Sequence, residues 1–281
     1  MEYEQVGDAA PGDVGIDLSS GEIGFLCEML DLTPPPVLGD LPWAGLAADV
    51  AAALRDANRD ALVARRVLEV DEVGNLVANE AVAGILTIMC EPQLVLHMRR
   101  EDSQRVRSRF VAALPQLSLE IVALRSDVWR LIPFPTEVLL DRIREFATFS
   151  GAPAMATTPA TVTASAFDAC TEAVQNTDLS AAAAALVEGG ADTGTAAGLA
   201  AALGDRHSSA RIDIVHRPEP GSIGGLELAW FESGAGLWIV EPVDDEAGVV
   251  EAMCFQPASD DCIVDRVVMS LPRDLASAIA R

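Results

Sequence analysis

Gly225–Pro242 reads GLELAWFESGAGLWIVEP. Apolar and polar residues alternate on either side of Ser233-Gly234-Ala235-Gly236, which predicts two antiparallel strands and a turn, with Trp230 in one arm and Trp238 in the other. Leu226, Leu228 and Trp230 fall on one face of the first strand, and Glu227, Ala229 and Phe231 on the other. About a hundred residues earlier, Ser118–Pro133 reads SLEIVALRSDVWRLIP. With a two-residue gap in the turn, Leu119-Glu120 aligns with Leu226-Glu227, Ser126 with Ser233, Trp129 with Trp238 and Pro133 with Pro242. A second correspondence lies downstream: LLDRI (139–143) and IVDRV (263–267) each sit a few residues beyond a proline, Pro135 and Pro257.

Matched segments in one order, each preceded by helices, predict a duplicated α+β unit. The expected division is a disordered tail at 1–15, a first repeat at 16–150 and a second at 151–281, forming one compact domain. Joining two half-sheets edge to edge removes an exposed edge from each. The second copy is expected to insert an acidic loop at Asp244-Asp245-Glu246 and an extra strand before its helix.

Helix signals flank these hairpins. Ser19-Ser20-Gly21-Glu22 reads as a capping box opening a helix with Ile23, Leu26, Cys27 and Leu30 on one stripe, stopped by Pro34-Pro35-Pro36. A second helix places Leu46, Val50, Leu54 and Ala57 on one side. Residues 61–92 give a helix, a turn near Gly74-Asn75 and a helix closed by Pro92. Strands run from about Leu94 to Pro133, with Arg105–Leu114 readable as strand or helix. The helix Thr136–Phe149 buries Leu139, Ile143, Phe146 and Ala147. SGAPAMATTPA (150–160) is the linker candidate. Ala-rich helices follow at 161–176, 179–188 and 194–204, then strands near 210–217, 225–232, 236–241 and 248–256, and a last helix at 260–271.

Charge narrows the partners. The net charge is −24, from 43 acids against 19 bases, and every base is arginine. Such a surface repels phosphate backbones and anionic headgroups, which argues against nucleic acid and membrane surfaces. No run of 18 apolar residues predicts a membrane span, and the acidic start MEYEQVGDAAPGDVG is unlike an export signal. Cys27, Cys90, Cys170, Cys254 and Cys262 are odd in number and scattered, a pattern of reduced core thiols in a cytoplasm.

Motifs for chemistry do not assemble. His97, His207 and His216 are far apart, and no His-x-x-x-His or Cys-x-x-Cys spacing nominates a metal. No Gly-x-x-x-x-Gly-Lys exists; Gly189–Gly194 joins helices, and Gly221–Gly225 precedes a strand as a hairpin loop. No Gly-x-Ser-x-Gly is present, and Asp260-Asp261 stand where acids cap a helix. No catalytic residue, metal or cofactor is therefore expected. Aromatic residues beside the hairpins, Trp129, Phe231 and Trp238, read as core packing or as anchors for a protein partner.

In order along nearly its whole length, the chain resembles the EspG family of cytosolic chaperones of type VII (ESX) secretion. The resemblance rests on LDLTPPPVL, on LVARRVLEVDEVGNLVANEAVAGILTIMCEPQLVL, on DVWRLIPF, and on GLWIVEPVDDEAGVVEAMCFQP with the helix closing in VVMSLP. It implies a pseudo-two-fold α+β fold, a central antiparallel sheet flanked by helical bundles. It also implies a non-enzymatic adaptor that masks the apolar tip of a helical secretion substrate, a PE–PPE pair or another ESX-type client. Contacts on the central sheet and C-terminal bundle translate here to Glu227, Ala229, Phe231, Leu237 and Trp238. Two other readings stand beside it: an enzyme or small-ligand binder with a pocket between the repeats, using Arg125, Arg130 or Asp213, and a subunit of a stable homo-oligomer.

Overall fold

The structure is a computed structural model and describes residues 14–35, 38–103, 105–147, 158–217, 223–244 and 249–279. The expected N-terminal tail, apart from Val14 and Gly15, lies outside the described residues, as does most of the expected linker. The first half of the chain runs β1 (Ile16–Ser19), α1 (Ser20–Leu30), α2 (Ala48–Ala64), β2 (Leu68–Val70), β3 (Leu76–Ala78) and α3 (Glu80–Cys90). It continues with β4 (Leu94–Asp102), β5 (Val106–Ala113), β6 (Leu117–Arg125), β7 (Val128–Pro135) and α4 (Leu139–Ala147). The second half runs β8 (Ala160–Thr163), α5 (Ala164–Gln175), α6 (Leu179–Glu188) and α7 (Thr193–Gly204). Then come β9 (Arg206–His216), β10 (Gly224–Ser233), β11 (Gly236–Asp244), β12 (Val250–Ala258), α8 (Asp260–Ser270) and α9 (Arg273–Ile279).

Ten strands form one antiparallel sheet in the order β1-β7-β6-β5-β4-β9-β10-β11-β12-β8, and β2–β3 form a separate hairpin. The order is the same read from either edge: β4 and β9 meet at the centre, and β1 and β8 close the rims. Each half supplies an edge strand, a set of helices and four consecutive strands, followed by α4 in the first half and by α8 and α9 in the second; the first half also carries the β2–β3 hairpin.

This order corrects the hairpin alignment. Ser118–Pro133 forms β6–β7, the third and fourth consecutive strands of its half, whereas Gly225–Pro242 forms β10–β11, the second and third. The extra strand expected in the second half arose from that offset, because β12 occupies the position of β7. A strand's side-chain period is two, so alternating hairpins that carry a tryptophan match one another at several positions. LLDRI in α4 and IVDRV in α8 do occupy corresponding places, each after the fourth strand.

Local chemistry explains most helix ends. The Ser19 hydroxyl accepts from the Glu22 amide at 3.1 Å, and the Glu22 carboxylate accepts from the Ser19 amide at 2.8 Å, forming the reciprocal cap at α1. The helix ends at Asp31 in the left-handed region (φ 56°), three residues before Pro34. Asp192 caps α7 by accepting from the amides of Gly194 and Thr195. Most of the expected stripe of α2 faces outward: Leu46, just before the helix, Val50 and Ala57 are exposed and Leu54 is half-buried, while Ala51 and Leu62 are buried instead. The cause is tertiary, since Asn58 of α2 lies against Gly21 of α1, where a Cβ would stand 2.7 Å from the Asn58 side chain.

Side chains alternate across the sheet into three cores. On one face, Leu94, Leu96, Ile212, Ile214, Leu228 and Trp230 pack with Ile143, Phe146, Ile263 and Leu275 from α4, α8 and α9. On the opposite face, α1 and α3 cover the β5–β7 half with Ile23, Leu26, Leu86, Leu119 and Leu131. There α5–α7 cover the β10–β12 half with Leu186, Leu199, Phe231, Trp238 and Phe255. The result is an α+β body with a central antiparallel sheet flanked by helical bundles, as expected.

Candidate functional site: the valley between the bundles

The two bundles leave the central strands β4 and β9 open on their shared face. Alternation places Leu94, Leu96, Met98, Ile212 and Ile214 in the core beneath, so Val95, His97, Arg99, Arg211, Asp213 and Val215 form the floor. His97 pairs in register with Asp213, and Arg99 with Arg211. The neighbouring strand β10 adds Glu227 opposite Asp213 and Ala229 opposite Arg211.

The floor is ordered by its own polar network. The His97 ring stacks on Phe110 with centroids 4.3 Å apart, and its Nε2 lies 2.9 Å from the Ser108 hydroxyl. Its Nδ1 is 3.3 Å from Asp213. Arg211 Nε donates to Asp213 at 2.6 Å, and its guanidinium reaches Glu227 at 3.1 Å. The hydrogen bond to Asp213 holds the Arg211 guanidinium still more firmly charged than usual, against the opposing effect of burial. This is a solvated charge ladder with its partners in place.

Each wall carries an apolar cavity. One, of about 830 Å³, opens between the ends of α1 and α3 and the sheet, lined by Pro34, Pro35, Met89, Val95, Phe110 and Val215. The other, of about 330 Å³, lies under α5 and α7 against Phe167, Leu203, Ala229 and Met253. Val215 is 45 % exposed, a β-branched apolar side chain directed into the open valley.

The sequence-derived contact residues divide. Glu227 is exposed and Ala229 half-buried on the valley side. Phe231 and Trp238 point to that side but lie in the core beneath α5–α7, at 3 % and 1 % exposure, stacked with centroids 6.3 Å apart. Leu237 points to the other face and is 2 % exposed in the α4/α8 core. These three have no surface to offer, because the bundle that would frame the site already covers them. The floor residues Val95, Phe110 and Val215 were missed. The signal for the two valines was present in LVLHM and IDIVH, where they take outward positions, whereas Phe110 lies in β5, whose segment the sequence left open as strand or helix.

The residues named for a pocket between the halves do not converge. Arg130 donates to both carboxylate oxygens of Asp17 near the β1 rim, at 2.7 and 2.8 Å. Arg125 is exposed at the β6–β7 turn, and Asp213 stands in the central floor. Elsewhere Glu232 is raised above the ordinary carboxylate range, chiefly by burial. It is 1 % exposed, with Arg100 at 3.4 Å and His207 at 3.6 Å, and is sealed within the strands. Glu120 is likewise buried, 3.2 Å from Arg109 and 3.8 Å from Arg142. Among the described residues no group of His, Cys, Asp and Glu gathers as a metal site. No helix among them is long and apolar enough to cross a membrane.

A wide sheet walled by two helical bundles, with an ordered polar floor and an apolar cavity in each wall, defines an α+β scaffold that presents a sheet surface. The EspG family model matches residues 19–268, and the chain belongs to the EspG family. Among solved structures it is similar to the Mycobacterium tuberculosis type VII secretion system chaperone EspG5, determined in complex with the PE25–PPE41 dimer. The TM-score is 0.62 at 14 % identity, covering 92 % of this chain and 98 % of that one, a likeness of fold. No curated protein sequence matches the chain.

Proposed function

We propose that the protein is a cytoplasmic type VII secretion chaperone, without catalytic activity, that binds the apolar tip of a helical substrate pair of the PE–PPE kind. The observation that carries this reading is the open valley: a stretch of sheet between two bundles, apolar along both walls and polar along its floor. A helical tip laid there would bury its aliphatic side chains in the wall cavities. Each 100 Å² of apolar surface removed from water contributes about 2.5 kcal/mol before the entropy costs of association and ordering are subtracted. The floor ladder of His97, Arg211, Asp213 and Glu227 would meet polar groups at the rim of that contact, giving orientation while leaving the complex separable. Glu227 and Ala229 keep their place as contact residues, joined by Val95, Phe110 and Val215. Family membership and the fold shared with a chaperone solved on a PE–PPE dimer support the assignment. We also read residues 16–150 and 151–281 as two copies of one unit within a single compact body. The mirrored strand order supports this reading.

Co-expression with candidate helical pairs tests the proposal. A soluble complex of fixed stoichiometry is expected with one of them, and Val215→Asp or Ala229→Glu should abolish it while leaving the fold intact. Failure to form a complex with any candidate pair, with the chaperone folded, removes the reading.

A further inference from the structure

We propose that Cys27 and Cys90 are a modification site: a dithiol that closes to a reversible intramolecular disulfide and staples α1 to α3 in the wall of the larger cavity. The two residues lie 63 positions apart in the chain, yet their sulfurs are 3.6 Å apart and both thiols are free. A disulfide bond is about 2.05 Å long, so closure needs an approach of about 1.5 Å. Closure therefore requires adjustment of the two Cys χ1 angles together with a small helix shift. Cys27 is fully buried on α1, whereas Cys90 is the last residue of α3 and lines the 830 Å³ cavity. A small oxidant therefore has a path to the pair.

The shared contact also sets the protonation of the two groups. Cys27 is pushed below the ordinary thiol range by the hydrogen bond from Cys90, against burial, and Cys90 is pushed up by the same contact and by burial. Either sulfur can be oxidised first, and its neighbour at 3.6 Å then resolves it. With hydrogen peroxide as oxidant, one thiol loses its proton and its sulfur attacks a peroxide oxygen, the O–O bond breaks, and the departing hydroxide takes up that proton and leaves as water, giving a sulfenic acid. The second thiol then attacks that sulfur, the S–O bond breaks, a second water leaves and the S–S bond forms. Two thiols and hydrogen peroxide become one disulfide and two waters.

The consequence is local. The Cys27 carbonyl accepts from the Leu32 amide and, with Glu28, from the Asp31 amide that caps α1. Asp31, Met89 and Cys90 all line the cavity. Closing the staple locks the end of α1 to the end of α3 and withdraws the Cys90 sulfur from the cavity wall. The inference does not depend on client binding, because the bond forms or fails in the chaperone alone.

The test is oxidation of the reduced, full-length protein with a small excess of hydrogen peroxide. Quenching, alkylation and peptide mapping without reductant follow. The expected product joins the Cys27 and Cys90 peptides, disappears on treatment with dithiothreitol, and melts on the order of 5–10 °C higher than the reduced protein. Cys90→Ser and Cys27→Ser should each abolish both the link and the shift. The exposed Cys262 serves as internal control for the oxidant. Recovery of Cys27 and Cys90 as free thiols, or as separately oxidised acids, after Cys262 has reacted would overturn the proposal.

Discussion

The bundle over β5–β7 and the bundle over β10–β12 cover matching halves of one sheet with different side chains. In the first, α1 and α3 bring large aliphatics, Ile23, Leu26, Leu86 and Met89, down onto Leu119, Ile121 and Leu131. Polar bonds fix the bundle from above. The Trp43 indole and Arg55 both donate to Glu28, Arg65 pairs with Glu22, and the Trp129 indole donates to Ser20. In the second, α6 and α7 read LSAAAAALVE and TGTAAGLAAALG, and the bulk comes from the strands as Phe231, Trp238 and Phe255. Small helix residues let helices approach the sheet and each other closely, so the strands must fill the volume that the helices do not. Volume can be supplied from either layer, provided the sum fills the space to native density.

That contrast sets the order of expected damage. Trp238→Ala empties the aromatic floor of a bundle whose helices are too small to collapse into the gap. It should cost about 3–5 kcal/mol, read as a lowered midpoint in urea unfolding. Gly189→Ala adds a Cβ that would stand 2.5 Å from the Ala166 Cβ and 3.2 Å from the Val162 Cβ. Overpacking there should cost about 1–3 kcal/mol. In the first bundle Gly84→Ala meets nothing within 4 Å and should stabilise by about 0.5–1 kcal/mol through helix propensity. Equal effects at these two glycines would break the distinction between the bundles. Ser19→Ala removes one arm of the α1 capping box and should cost about 1 kcal/mol by thermal unfolding.

The smallest effect is electrostatic. Arg130's hydrogen bonds hold the Asp17 carboxyl below the ordinary carboxylate range, with burial opposing. A depressed native pKa contributes stability that is present above the unfolded value and lost as pH falls through the native one. Asp17→Asn should therefore lose a small increment at pH 7, and the gap from the wild type should close in acid. Urea unfolding of both proteins across a pH series measures it. A gap that persists below the native pKa would assign the loss to geometry instead of charge.

Much of this was legible along the chain where local rules decide. Ser19 and Glu22 wrote the cap, Leu139, Ile143, Phe146 and Ala147 wrote the buried stripe of α4, and the four strands after α7 alternated visibly. What escaped depends on distant pairing. β8 is four residues, ATVT, and becomes a strand only by pairing with Ala252–Phe255 of β12. The β2–β3 hairpin was hidden inside an apparent helix–turn–helix, because LEV and LVA are too short for a period. α9 is held by Leu275 in a core assembled from both halves of the chain. The site suffered from the same limit. Trp238 looked like an anchor because aromatic content says nothing about depth, and Val215 drew no notice because a lone outward valine in IDIVH does not show that its face stays uncovered.

The short rims of the sheet carry a further consequence. β1 and β8 are four residues each, and both run directly into helices, α1 and α5. A newcomer seeking to extend the ladder finds room for only a few backbone bonds at either margin before the path turns helical. Ten strands are thus terminated at both ends by stubs, a shape that limits how far a further strand can pair along either margin.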